Sequence, residues 1–339
     1  MSTINSNEAH SALRRFDVTV VGDTNLDILL YGLPDKLPCE RELLASDMAI
    51  RIGGSGAITA HNLAALGNRV GFITTAAGDD FARICHSELA DARVDLSGIV
   101  PMRDTRTGVT VHLQHRELRH MFTYAGATFR LDYDHLDLAY LSDSSHFHMP
   151  SYYLQRALTP RIPDLFANLK RAGLTISIDP NDDPAHTWDR SILEALQYVD
   201  VLMPNERETC LIAGEHDLKR AIAVLREMVP LLVIKRGARG ASAYCGDNEW
   251  HSPAETIQVI DAVGAGDSFN AGFLHAWTRG WSIVRALAFG NVVGARSTSQ
   301  SGGTSAFRDR EAARALSAAW ETAPPHSARH SLDRHDTAK

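Results

Sequence analysis

The chain has 339 residues, is 44% hydrophobic and 22% charged, and carries a net charge of −7. That length suits one large α/β domain, or a domain with a small appendage. The mildly acidic balance, without a long basic block, argues against a dedicated nucleic-acid binder. No apolar run reaches the roughly 18 residues of a membrane span. The four cysteines, Cys39, Cys85, Cys210 and Cys245, form no CxxC pair, so neither a disulfide scaffold nor a cysteine-zinc site is expected and a reducing cytoplasm fits.

Taken in order, residues 1–15 are polar, lack the apolar stretch of a secretory signal, and read as a flexible N-terminus. Residues 16–322 read as one domain. "DVTVVGD" (17–23) and "RVGFITTAAGDD" (69–80) are apolar strands that end in polar turns. "LTISIDPN" (174–181), "VDVLMPN" (199–205) and "PLLVIKRG" (230–237) repeat the pattern, with helical runs at 160–172 and 217–229. Strand, turn, helix, strand predicts a mostly parallel sheet flanked by helices. Ligands of such sheets bind beyond the carboxyl ends of the strands. That singles out Asp23, Asp27, Asp179, Asn181, Asn205, Lys235 and Asp261.

Residues 105–127 instead alternate with period two. Val109, Val111 and Leu113 point one way; Thr110, His112 and Gln114 point the other. This predicts an antiparallel hairpin with a wet polar face, which would carry His112, His115 and His120. Residues 36–52 are expected to add to it, making a small β-sheet lid over the ligand edge or a dimer surface. His146 and His148 share one face of a strand and read as polar residues at a sheet edge. Residues 323–339 read as a disordered tail.

The stretch "DAVGAGDSFNAGF" (261–273) carries the chemistry. Ile257 and Val259 alternate in an expected strand reaching Asp261. Phe269, Phe273 and Trp277 recur every four residues, the stripe of a buried helix face. Gly264, Ala265 and Gly266 would then lie at a strand-to-helix turn whose free N–H groups attract an anion. Asp267 beside that site is either a plain N-cap or a general base for phosphoryl transfer. There is no GxxxxGK[ST] and no GxGxxG after the first strand. A P-loop enzyme is therefore excluded, and a dehydrogenase disfavoured.

"DAVGAGDSFNAGF" and "GGSGAITAHNLAALG" (53–67) resemble the two signatures of the ribokinase-like (PfkB) carbohydrate kinase family. "VVGDTNLDIL" (20–29), "GDD" (78–80), "NERE" (205–208), "KRGARG" (235–240) and "GNVVGARSTSQSGG" (290–303) resemble further landmarks in the same order. The resemblance covers residues 16–322. It implies an ATP- and Mg²⁺-dependent sugar kinase, with K⁺ as a candidate activator and a homodimer formed through the lid. It also implies roles by position. Asp267 would be the base and Gly264, Ala265 and Gly266 the anion hole. Asn25, Asp27, Gly53 and Gly54 would hold the acceptor. Asn205, Lys235, Gly237, Gly240 and Asn291 would meet the nucleotide, and Glu208 would act indirectly on Mg²⁺. Asp261, Val263, Ser297 and Gly302 would offer oxygens to a monovalent cation.

Two departures stand out. Ala262 replaces the family's usual threonine. Ile58 occupies the place of an asparagine that contacts the sugar, with Asn62 the nearest substitute; His61 and Asn62 read either as a substitute contact to the substrate or as the exposed face of a helix, the second being favoured. A nucleoside acceptor would need a slot, for which Phe122, Tyr124 and Tyr152 are candidates. A sugar-phosphate acceptor would need Arg51, Arg106 and Arg130. A non-catalytic sensor on the same fold has no need of Asp267.

Overall fold

A computed structural model describes residues 14–115 and 118–322. The terminal segments expected at 1–15 and 323–339 lie outside the described residues, apart from Arg14 and Arg15. The strands are β1 (Phe16–Val21), β2 (Asn25–Tyr31), β3 (Asp47–Gly53), β4 (Val70–Ile73), β5 (Thr75–Ala76), β6 (Val100–Pro101), β7 (Gly108–His115), β8 (Leu118–Tyr124), β9 (Ser144–Pro150), β10 (Thr175–Asp179), β11 (Val201–Leu202), β12 (Leu231–Lys235), β13 (Ala241–Cys245) and β14 (Asn248–Ser252).

Eight of them form the main sheet, in the order β14-β13-β12-β11-β10-β9-β1-β4. All pairs from β12 to β4 are parallel, and β12-β13 and β13-β14 are antiparallel. The strands are short apolar runs because helices cover both faces. Along β12, Leu231 and Val233 enter one core and Leu232 and Ile234 the other. The parallel strands expected at 17–23, 69–80, 174–181, 199–205 and 230–237 are present with trimmed ends. So are the helices, as Ile162–Arg171 and Leu218–Arg226.

His146 and His148 were expected at a sheet edge, but β9 lies inside the sheet and both are fully buried. Side chains of the neighbouring strand satisfy them: His146 meets Thr175 and Ser177 Oγ, and His148 Nδ1 meets Ser177 Oγ at 2.7 Å. Burial and the nearby Lys235 charge push His148 down to about 3, so it stays neutral. Among the described residues no three or more His, Cys, Asp or Glu side chains are grouped as a metal site. No described helix is long and apolar enough to cross a membrane.

The expected strand at Ile257 and Val259 does not form; residues 253–259 run without regular structure and both side chains are exposed. This segment pairs with no sheet because it forms one wall of a cleft.

The lid is a separate sheet, ordered β3-β2-β7-β8. The hairpin expected at 105–127 is β7-β8, and of 36–52 only β3 is strand. β2 was an unexpected member, since its sequence runs on from β1. The lid's polarity is also reversed. Thr110, His112 and His115 are buried, while Met48, Ile50, Phe122 and Tyr124 are exposed. The polar face is turned inward, where Leu29 and Ala49 pack on Val263 and polar side chains bond one another. Of the three lid histidines His112 faces inward, whereas buried His115 stacks on exposed His120, with ring centroids 5.1 Å apart.

The Ala265–Trp277 helix is buried on nearly every side from Ser268 to Ala276 and packs against the Ile283–Ser297 and Ser55–Ala65 helices. Glycines permit the close crossing: a Cβ at Gly290 would lie 2.8 Å from the Phe269 ring. Gly290→Ala should therefore lower stability by roughly 1–3 kcal/mol through overpacking. Chemical denaturation would show this as a lower midpoint at unchanged slope.

Candidate active site

The carboxyl ends of β10 and β12 and the start of the Ala265–Trp277 helix converge. Gly264 is the helix N-cap, at φ 72°. That left-handed conformation, with a Cβ that would lie 2.6 Å from Gly303 Cα, restricts the position to glycine. Asp267 is the third helical residue, not the cap, and makes no capping bond. The plain N-cap reading is thereby overturned. Among the described residues the Gly266 and Asp267 N–H groups stay free beside exposed Gly266, whereas the Ala265 N–H donates to Ala262 O at 3.3 Å. Ser55 hydrogen-bonds the Asp267 carboxylate instead. Burial first, and then the charge of Asp179, raise Asp267 to about 7, against the opposing pull of Lys235 and Ser55.

Asp179 is the site residue that the motif-based set missed, although its place at a strand end had pointed to it. Its Oδ2 accepts from Lys235 Nζ and from Asn270 Nδ2. Burial works against the Lys235 charge, but Asp179 and Glu208 overcome it and hold the amine above its ordinary value. A bridge between Asn205 and Lys235 brings the Asn-x-x-Glu element alongside. Asn205 caps the Glu206–Ala213 helix, and Glu208 accepts from the Asn205 amide and from its backbone N–H at 2.8 Å. The capping role and a site role thus coexist in one pair. Burial and the Asp179 charge push Glu208 up to about 7.

Asp23 was also legible only as a strand-end acid. It is buried behind Asp267, and its carboxylate accepts from Gly56 N at 3.2 Å. Burial raises it, offset in part by hydrogen bonds from Gly56 and Ser151.

On the lid side, Asn25 Nδ2 donates to Asp27 Oδ1 at 2.9 Å. A Cβ at Gly53 would overlap the Asp27 carboxylate, and one at Gly54 (φ 89°) would lie 2.7 Å from Asp23 O. Asn62 is fully buried. It donates to Ser268 Oγ at 2.9 Å and Gly303 O at 3.0 Å, and its oxygen meets His61. The pair expected on an exposed helix face therefore braces the Ala265–Trp277 helix from inside. Ile58 packs beneath Gly264 and Gly303.

A cleft of about 490 Å³ runs from Lys235 and Gly266 past Gly237 and Gly240 to Asn291. Asn291 uses its amide on Ser252 O and Pro253 O, at 2.9 and 3.0 Å, so it shapes the wall through the backbone. Asp261 Oδ1 accepts from Val263 N and Gln114 Nε2, and Oδ2 from Gly302 N. Asp261 thus ties three of the expected cation-loop residues together. Ser297 Oγ donates to Gly294 O.

The aromatic slot is not assembled. Phe122 and Tyr124 face outward, and Tyr152 is in the core, bonded to Ser191. The three arginines do not converge either. Arg51 binds Ser301 O and Ile50 O, Arg106 lies near Asp79, and Arg130 is exposed.

The model of the pfkB family carbohydrate kinases matches residues 15–310. The chain belongs to the PfkB family. An ATP-dependent ribose-1-phosphate kinase from Halopiger xanaduensis is 28% identical over 85% of this chain and 94% of its own. A cytidine kinase from Thermococcus kodakarensis is 26% identical over 81% and 93%. A putative ribokinase II from E. coli, solved with ATP and Mg²⁺, superposes with TM-score 0.77 at 25% identity over 88% and 98%. The architecture is ribokinase-like. This PfkB protein is an ATP-dependent phosphotransferase that acts on a hydroxyl of a sugar or nucleoside.

A consequence for the PfkB fold follows from Asp267. Its neutral form is favoured in the folded protein, so the stability it contributes is complete below the unfolded value near 4 and is lost as pH rises through about 7. Asp267→Asn should melt at a higher temperature than wild type at pH 8 and at the same temperature near pH 4. Ligand-free thermal melts across that range would check it.

Proposed function

We propose that this PfkB protein transfers the γ-phosphoryl group of ATP to a sugar hydroxyl, with Asp267 as the general base. The observation that carries this reading is an uncapped, half-buried carboxylate at the third position of a helix whose free N–H groups face a cleft. A carboxylate poised near 7 can hold or release a proton at working pH.

The nucleotide would lie in the cleft, with its phosphates toward Lys235 and the Gly264–Gly266 turn. Asp27 would hold the acceptor, and Gly53 and Gly54 would let backbone approach it. As the acceptor oxygen bonds phosphorus and the bond to the ADP oxygen breaks, Asp267 takes the hydroxyl proton. The free Gly266 amide at the helix N-terminus stabilises the charge on the transferring group. Glu208, with Asp179 and Asn205, offers hard oxygen donors whose crowded charge suits Mg²⁺. When bound, the ion neutralises phosphate charge. Carbonyls near Val263, Ser297 and Gly302 would take a monovalent ion such as K⁺. Asp261 retains one of its roughly four acceptor sites for it.

A nucleoside or sugar-phosphate acceptor is the second reading, favoured by the cytidine and ribose-1-phosphate kinases among the relatives. The unassembled aromatic slot and the dispersed arginines support the sugar. The four unpaired cysteines fit a cytoplasmic protein. Its one kinase domain would be residues 16–322.

The test is ADP release from Mg-ATP across sugars, sugar phosphates and nucleosides. Asp267→Asn should lose about 10²–10⁴-fold in kcat while still binding ATP; full activity in that variant would sink the mechanism. kcat/KM should rise with pH through about 7 as Asp267 ionises.

The outward apolar face of the lid is a patch of the kind that marks an interface. Homodimerisation there predicts a dimer by sedimentation for wild type and a monomer for Phe122→Glu with Tyr124→Glu.

A further inference from the structure

One buried polar group on the inner face of the lid is used by nothing described above. His112 lies on β7 opposite Leu29 of β2, two residues from Thr110 and so on the same face. It is only 4% exposed. Its Nε2 stands 3.4 Å from Asp27 Oδ2, which is within reach of electrostatic attraction. Yet neither ring nitrogen has a hydrogen-bond partner among the described residues.

The surroundings show which atoms are free. Asn25 Nδ2 donates to Asp27 Oδ1 at 2.9 Å and to Thr110 Oγ1 at 2.8 Å, and Thr110 meets Thr123 Oγ1 at 3.1 Å. This chain fixes the carboxylate and occupies Oδ1. Oδ2 and the imidazole are left side by side. Leaving buried polar atoms without partners is unfavourable, and a bound ligand would remove that cost.

We infer that His112 is a specificity-determining contact to the acceptor. Asp27 Oδ2 accepts a hydrogen bond from one acceptor hydroxyl, and His112 Nε2 bonds the neighbouring oxygen. The inference rests on the kinase reading and deepens it by naming the chemistry of the end that is held: two adjacent, uncharged oxygens of a polyol or sugar ring. A phosphate or carboxylate at that end would face the Asp27 charge unscreened, so an acceptor bearing one must place it elsewhere.

The experiment is steady-state kinetics with D-ribose, D-fructose and cytidine as probes at saturating Mg-ATP. Wild type, His112→Phe, His112→Gln, Asp27→Asn and Asp267→Asn are compared. For the probe that is turned over, His112→Phe should raise KM about tenfold or more. Its kcat should stay within roughly threefold and its KM for ATP should not change. His112→Gln, which keeps a donor of similar reach, should recover part of the loss. An unchanged acceptor KM in His112→Phe, with Asp27→Asn impaired, overturns the inference and leaves the kinase reading standing. A joint change in both KM values and in melting temperature also overturns it, since that marks a purely structural role. If wild type turns over no probe, the kinase reading fails separately. Calorimetric titration of the same probes then decides: binding that His112→Phe weakens sustains the contact, and equal or absent binding ends it.

Discussion

One ammonium group holds the active site together. Lys235, at the end of β12, is ion-paired to Asp179 at the end of β10, and its charge also acts on Asp267 and Glu208. Three carboxylates would repel one another in a space from which water is largely removed. Burial first, and then the Asp179 charge that Lys235 only partly offsets, push Asp267 and Glu208 both up to about 7. The crowding carries a cost: the folded state favours neutral Asp267 and Glu208, so stability is lost as they ionise.

The fold creates this crowding through strand ends. Parallel strands deliver all their carboxyl termini to one edge, so Asp179, Lys235 and the residues after β1 arrive together although far apart in the chain. The Ala265–Trp277 helix then points its N-terminus at that edge. Its burial on nearly all sides and its glycine-mediated crossing at Gly290 leave it little freedom to shift. Asn62 and Ser268 stiffen it further from below. The backbone amides at its N-terminus are thereby held in one orientation.

The lid closes the opposite side, and its inverted polarity follows from that position. A strand that alternates polar and apolar residues declares two faces, but not which one meets water. On β7 the polar face is the inner one, since the lid covers a polar site, and its apolar face is left outside. Period-two patterning therefore located the hairpin correctly and misassigned its wet side. The same ambiguity misplaced His61 and Asn62, whose polarity serves an internal network, and His146 and His148, whose partners Thr175 and Ser177 lie on the next strand.

By itself, the sequence determined the parallel α/β class, the hairpin at 105–127, and the glycine turn that starts a buried helix at 264–267. Each of these is a local matter of short-range periodicity, backbone freedom at glycine and unpaired N–H groups. The tertiary structure alone decided that Gly264 and not Asp267 is the cap, that Asp179 shares Lys235 with it, that residues 253–259 line a cleft and form no strand, and that β2 belongs to the lid. It also decided that His112 faces Asp27. These depend on which distant strands become neighbours and on how completely water is excluded between them. Neither quantity is written in any local stretch of the chain.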